Sequence, residues 1–105
     1  MDSPPPLNGE QIASALGITP VRRRDGSLAL ELNRGACGVR LVLQVIEQEQ
    51  RIRLFIDQGR HKRATLVGRI ELDNVEILLD GHAVFLRAAT GVTLALHANG
   101  QFHLF

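Results

Sequence analysis

A chain of 105 residues with a formal net charge of +1 and 22% charged residues is one domain by length, with room for a single modest core. That balance is too neutral for a general binder of nucleic acid or membrane surfaces. The one cysteine, Cys37, excludes an internal disulfide framework and fits a reducing compartment. Trp and Tyr are absent, and the aromatics are Phe55, Phe85, Phe102 and Phe105. The chain is therefore short of the rings on which single-strand binders stack bases and of the usual Trp and Tyr anchors of protein interfaces. No segment reaches the ~20 apolar residues of a bilayer span, and "MDSPPPLNGE" has no apolar run of a signal peptide. The expectation is a cytoplasmic location, with export by a dedicated apparatus left open.

Residues 1–6 are proline-rich and predict a disordered tail, leaving 7–105 as a single β domain. A short helix is expected over 7–17. Asn8 is its cap, Gln11 stands at capping-box spacing, and Gly17 and Pro20 stop it. Ile12, Ala15 and Leu16 line one face. Two turns are too few to stand alone, so the helix must dock through Ile12 and Leu16.

From residue 20 the hydrophobic period becomes two, and strands are predicted through 105. Asp25-Gly26 signals a hairpin between "VRRR" and "SLALELN". "RGACG" is a loop. "VRLVLQVIE" places Val39, Leu41, Leu43 and Val45 on one face and Val42 and Ile46 on the other, the mark of a central or doubly covered strand. "RIRLFID" alternates again, with Ile52, Leu54 and Ile56 inward. "QGRHKR" is a basic loop, and Gly68 in the next strand suggests a bulge or bend.

Parity sets the register of the last four strands. A two-residue loop at Asp80-Gly81 would pair Ile77 with Val84 and Val75 with Leu86 in a type I′ turn. Three-residue loops at Ala89-Thr90-Gly91 and Ala98-Asn99-Gly100 pair Leu86 with Leu94, Leu96 with Phe102 and Leu94 with Leu104. Each ends in the glycine that such loops need in a left-handed conformation. The expected core is Leu28, Leu30, Leu41, Leu43, Leu54, Ile56, Ile77, Val84, Leu86, Leu94 and Leu96. The fold class is all-β and mainly antiparallel: a small barrel or a two-sheet β-meander with one short N-terminal helix.

Chemistry-bearing patterns are sparse. His97 and His103 fall diagonally on one strand face, but two imidazoles without a cysteine or carboxylate at ligand spacing read as solvated strand histidines. His61 and His82 stand alone. Arg34 would lower the thiol pKa of Cys37, yet no base stands nearby to make a nucleophile pair. "NRGACG" lacks the G-K-[ST] ending of a phosphate loop, and there is no G-x-S-x-G elbow. No catalytic, cofactor or metal residue can be named, so the expected class is non-enzymatic. Two basic clusters, Arg22-Arg23-Arg24 and Arg60-His61-Lys62-Arg63, would track a phosphate backbone if they converged. Glu47, Glu49, Glu71, Asp73 and Glu76 nearly balance them, which makes nucleic acid the less favoured partner.

The stretch "QFHLF" forms a strand without a proline or a charge to blunt its edge. It asks for a neighbour, either a second copy or a partner strand. The expected contact residues are Leu94, Leu96, Phe102, Leu104 and Phe105, and the expected state is a homo-oligomer, dimer or trimer.

"NVEILLDGHAVFLRAATGVTLALHANGQFHLF" resembles the stacked-strand segments that follow the OB-like domain in spike proteins of type VI secretion systems and phage tails. "RLFIDQGRHKRATLVGRI" is similar to the end of that OB-like domain, so the resemblance covers residues 39–105. The match is one of pattern: the segment is too short for a full prism and lacks the long repeat. It implies a structural role in a secretion or tail apparatus, a trimer within the oligomer choice, and no catalytic residues. The main expectation is a structural or assembly protein that joins itself or a partner through sheet edges. A small OB-like nucleic-acid binder using Arg22, Arg23, Arg24, Arg60, Lys62 and Arg63 is the alternative.

Overall fold

The computed structural model describes residues 6–32, 39–60 and 63–105. Residues 1–5 of the expected tail, Arg34, Cys37, His61 and Lys62 lie outside the described residues. Among the described residues one α-helix, α1 (Gly9–Leu16), precedes nine strands: β1 (Val21–Arg22), β2 (Leu28–Glu31), β3 (Val39–Ile46), β4 (Arg51–Arg60), β5 (Arg63–Leu72), β6 (Glu76–Asp80), β7 (Ala83–Arg87), β8 (Thr93–His97) and β9 (Phe102–Leu104). All pairings are antiparallel. The strands form two meanders in chain order, β1-β2-β3-β4-β5 and β6-β7-β8-β9. Of the two forms expected, the two-sheet meander is the one adopted.

The helix begins where Asn8 Oδ1 accepts from the backbone N–H groups of Glu10 and Gln11. It ends in a Schellman motif: Gly17 turns left-handed at φ +69, Gly17 N bonds Ser14 O, and Ile18 N bonds Ala13 O. These caps satisfy end groups that two turns alone would leave open. Gly9, Ile12, Ala13 and Leu16 form the buried face. A Cβ on Gly9 would meet Leu28 Cδ1 at 2.6 Å and Val45 Cβ at 3.3 Å. The helix start therefore lies directly on the first sheet, while the helix also contacts β7 of the second.

Three hairpin loops share one form. Arg23 N bonds Ser27 O and Gly26 N bonds Arg23 O, with Gly26 at φ +88. Ala88 N bonds Val92 O, with Gly91 at φ +96, and His97 N bonds Gln101 O, with Gly100 at φ +87. The last two are the expected three-residue loops, and Leu86↔Leu94, Leu96↔Phe102 and Leu94↔Leu104 pair as parity required. The β6–β7 turn differs. Asp80 pairs with Ala83, so the loop is Gly81-His82, and Ile77 faces Leu86 while Leu79 faces Val84. Gly81 at φ +62 leads the loop and His82 keeps a negative φ, as in a type II′ turn. The register moves by two residues, so the face assignment survives. Val75 drops out of the strand and is fully buried.

One cluster of buried side chains draws on α1, both sheets and the linker residue Val75. Leu30, Leu43, Leu54, Val84, Leu86 and Leu94 are fully buried, and Leu28, Leu41 and Leu96 nearly so. Ile56 and Ile77, expected in the core, pack at its margin. Ile77 stands on an edge strand, and Ile56 adjoins the register shift of the β4–β5 ladder beside Gly68. Val42 is also buried, on the opposite face of β3, as suits the third of five strands.

Gln50 joins three separate segments. Its Oε1 accepts from Leu7 N at 2.8 Å, and its Nε2 donates to Val75 O at 3.0 Å. Its own carbonyl accepts from Val75 N at 2.9 Å. Gln50 closes the 3-10 turn Glu47–Glu49 in the left-handed region, at φ +54. Glu47 Oε2 accepts a further bond from Gly9 N at 3.0 Å. The loop between β3 and β4 thus holds both the helix entry and the link between sheets.

Removing the Leu86 side chain leaves a cavity at full burial, so Leu86→Ala should cost about 2–5 kcal/mol in chemical denaturation. Gln50→Ala strands a backbone donor and a backbone acceptor, and should cost about 2–4 kcal/mol. In the first hairpin, Asp25 Oδ1 accepts from the Ser27 hydroxyl and from Ser27 N. These bonds, hydroxyl first, hold the Asp25 carboxyl below its ordinary value of 3.8. Its ionised form therefore favours the folded state. That contribution is present in full above the ordinary value and is lost as pH falls through the lower folded one. The stability gap between the native chain and Asp25→Ala should narrow correspondingly in acid titration.

Candidate functional site

An antiparallel sheet with one face in water ordinarily keeps that face polar. The outer face of the second sheet departs from this along one row. Cross-strand pairing sets Leu78 opposite Phe85, Phe85 opposite Ala95, and Ala95 opposite His103. One row thus crosses all four strands with no charged carboxylate, lysine or arginine in it. Ala95 is almost completely covered, Phe85 is half-buried, and Leu78 is 47% exposed. His103 continues the row to β9, with His97 edge-on at 5.7 Å between ring centroids and Phe105 tilted at 6.5 Å. The flanking row is ionic: Glu76 lies opposite Arg87 and pairs with it.

Exposure concentrates on the two edge strands. Leu78 and Leu79 of β6 are 47% and 46% exposed, and Leu104 and Phe105 at β9 are 51% and 71% exposed. Among the described residues the only other large exposed apolar side chain is Val21. On the inner face, Leu79, Val84, Leu96 and Phe102 form one row, and Ile77, Leu86, Leu94 and Leu104 another. The middles of these rows are covered; of their ends, Ile77 and Phe102 pack against the core and Leu79 and Leu104 are exposed.

Of the expected contact residues, the fold leaves Leu104 and Phe105 open and Phe102 half-buried. Leu94 and Leu96 are corrected: both are buried in the protomer's own core, because β8 is an interior strand whose inner face packs against the rest of the molecule. The row through Leu78, Phe85 and Ala95 was missed. Its signal was the unbroken "EILL" run, where Leu78 falls on the face otherwise left to Glu76 and Asp80.

The described strand positions of the two basic clusters stand apart along the first sheet. Arg22 pairs with Leu28, in the strand row that continues through Val45 and Ile52. Arg60 pairs with Arg63 at the far end of the β4–β5 ribbon. Eight residues separate Ile52 from Arg60, ~26 Å along a strand. The side chains of Arg60 and Arg63, like the whole of Lys62, lie outside the described residues. Arg22 donates to Gly26 O at 2.8 Å and lies 3.7 Å from Glu47. Arg23 borders an open cleft of about 530 Å³ shared with Glu31 and Arg40, whose charges meet at 3.3 Å. Arg24 sits in the hairpin turn.

His97 and His103 do meet, but among the described residues no third His, Cys, Asp or Glu joins them in a metal-holding group. Among those residues no helix is long and apolar enough to cross a membrane. No family model, curated protein or solved structure matches the chain.

Proposed function

We propose that this chain is a non-enzymatic assembly protein whose second sheet, β6–β9, is its docking surface for protein. The observation that carries the reading is the placement of exposed apolar side chains. Leu78 and Leu79 on edge strand β6, and Leu104 on and Phe105 just after edge strand β9, are the exposed apolar side chains of one sheet; on its outer face the row through Phe85 and Ala95 runs from Leu78 across to β9. Single apolar residues scattered on a surface need no explanation, whereas a contiguous stripe in water does. Strand edges supply main-chain hydrogen bonds and the stripe supplies apolar area, the two components of association by strand addition. The resemblance of residues 39–105 to spike segments supports a structural place in a secretion or phage-tail apparatus.

Sedimentation at micromolar concentration and about pH 8 tests this. The expected result is a defined oligomer. Phe105→Asp, on an exposed side chain, should weaken it about tenfold or more while shifting unfolding by less than about 0.5 kcal/mol. A chain that stays monomeric on concentration overturns the reading.

A further inference from the structure

We infer that the chain pairs with a second copy of itself, strand β9 to strand β9, about a two-fold axis at His103, and that acid weakens the pair. This rests on the reading of the second sheet as an assembly surface and names its partner and regulation.

The free edge of β9 has a determined hydrogen-bonding pattern. Phe105 and Thr93 exchange both backbone bonds, at 2.8 and 3.3 Å, and His97 N bonds Gln101 O. Bonded and non-bonded pairs alternate along an antiparallel ladder. His103 therefore turns its backbone groups toward Ala95, while Phe102 and Leu104 turn theirs outward. An antiparallel copy can use both outward residues at once only if Phe102 bonds Leu104 of the second copy and Leu104 bonds its Phe102. That register is self-complementary, closes as a two-fold pair, and continues the sheet to eight strands. It also keeps parity: Leu104, half exposed in one chain, gains an aromatic neighbour on the inner face.

The other edges are charged or short. β1 has two residues. β5 carries Arg63, Arg69 and Glu71 and is bent by the register shift beside Gly68. On β6, the equivalent two-fold register would set Glu76 opposite Asp80 of the second copy, a like-charge pair that opposes association. Among the edge strands of the described residues, β9, "FHL", is the one without a carboxylate, lysine or arginine.

On the axis, His103 faces its own copy as a non-bonded pair, the closer of the two ladder spacings. The groups around each ring are Ala95 across β8, His97 on β8 and Phe105 on its own strand. The fixed charges on that face stand on β6 and β7: the Glu76–Arg87 pair, already internally neutral, in one flanking row and Asp80, in line with Ala83 and His97, in the other. None of the side chains around each ring, Ala95, His97 and Phe105, is a carboxylate that would offset charge on the imidazoles. Acid protonates imidazole, and two imidazolium ions held opposite each other repel.

The test uses the full chain with a chelator present. In a Cys37→Ser background, His103→Cys should form an interchain disulfide on mild oxidation, since the spacing of a non-bonded pair suits one, and Asp80→Cys on β6 should not. In the native chain, the dimer dissociation constant should rise about tenfold from pH 8 to pH 5.5, and His103→Asn should abolish most of that rise. An oligomer at pH 8 that lacks either the His103→Cys cross-link or the acid weakening overturns pairing at His103 and leaves the assembly reading standing. Polymers growing without limit overturn the two-fold pair in the same way. A monomer at pH 8 overturns both.

Discussion

Gln50 is the point on which the arrangement of the two sheets depends. A meander needs only its own turns to form a sheet, so nothing within β1–β5 or β6–β9 dictates how one lies on the other. Gln50 supplies that relation. Its side chain takes the backbone N–H of Leu7 and gives a bond to the carbonyl of Val75, and its own carbonyl takes the Val75 N–H. A side-chain amide is suited to this because it carries a donor and an acceptor on one planar group. With Val75 held, the linker after β5 turns its valine into the core and delivers β6 at the right height. With Leu7 held, and Gly9 N on Glu47, α1 is set against Leu28 and Val45 and reaches β7.

That placement explains why the second sheet is covered unevenly. Its inner face meets the helix and the first sheet over β7 and β8, where Val84, Leu86, Leu94 and Leu96 are buried. One short helix cannot also cover β6 and β9, so Leu79 and Leu104 project at the margins. The outer face carries Leu78, Phe85 and Ala95 in line between polar rows. A sheet with an apolar row on its outer face and exposed apolar side chains at both edges is suited to continuation by another chain. The first sheet contrasts with it. Its outer face is laced with ion pairs, such as Arg53 with Glu71 at 2.9 Å, its long edge is charged and bent, and its short edge is two residues long. The fold separates a finished half from an unfinished one.

Much of this was legible in the residues. Alternation assigned the inner faces of β2, β3, β4 and β7–β9, and glycine at the last position of Ala89-Thr90-Gly91 and Ala98-Asn99-Gly100 set two loops and their register. Asn8 and Gly17 marked the helix ends to within two residues of their observed positions. The β6–β7 turn was misplaced because Asp80-Gly81 and Gly81-His82 both offer a glycine to a two-residue loop, and parity does not separate registers that differ by two. Leu94 and Leu96 were expected at both a core and a contact; being on an interior strand, they serve only the first.

By itself, then, the sequence determined which residues share a face, where the chain turns and that the product is antiparallel. These are properties of the pleat and of single backbone positions, readable over a few residues. Only the tertiary structure decided that the strands close into two meanders rather than a barrel, that Ile56 and Ile77 lie at the margin of the core, that the arginine clusters stand at opposite ends of one sheet, and that Gln50 joins three segments. Each of those depends on which distant surface comes to cover a given face. Alternation says that a face must be covered and is silent on what covers it.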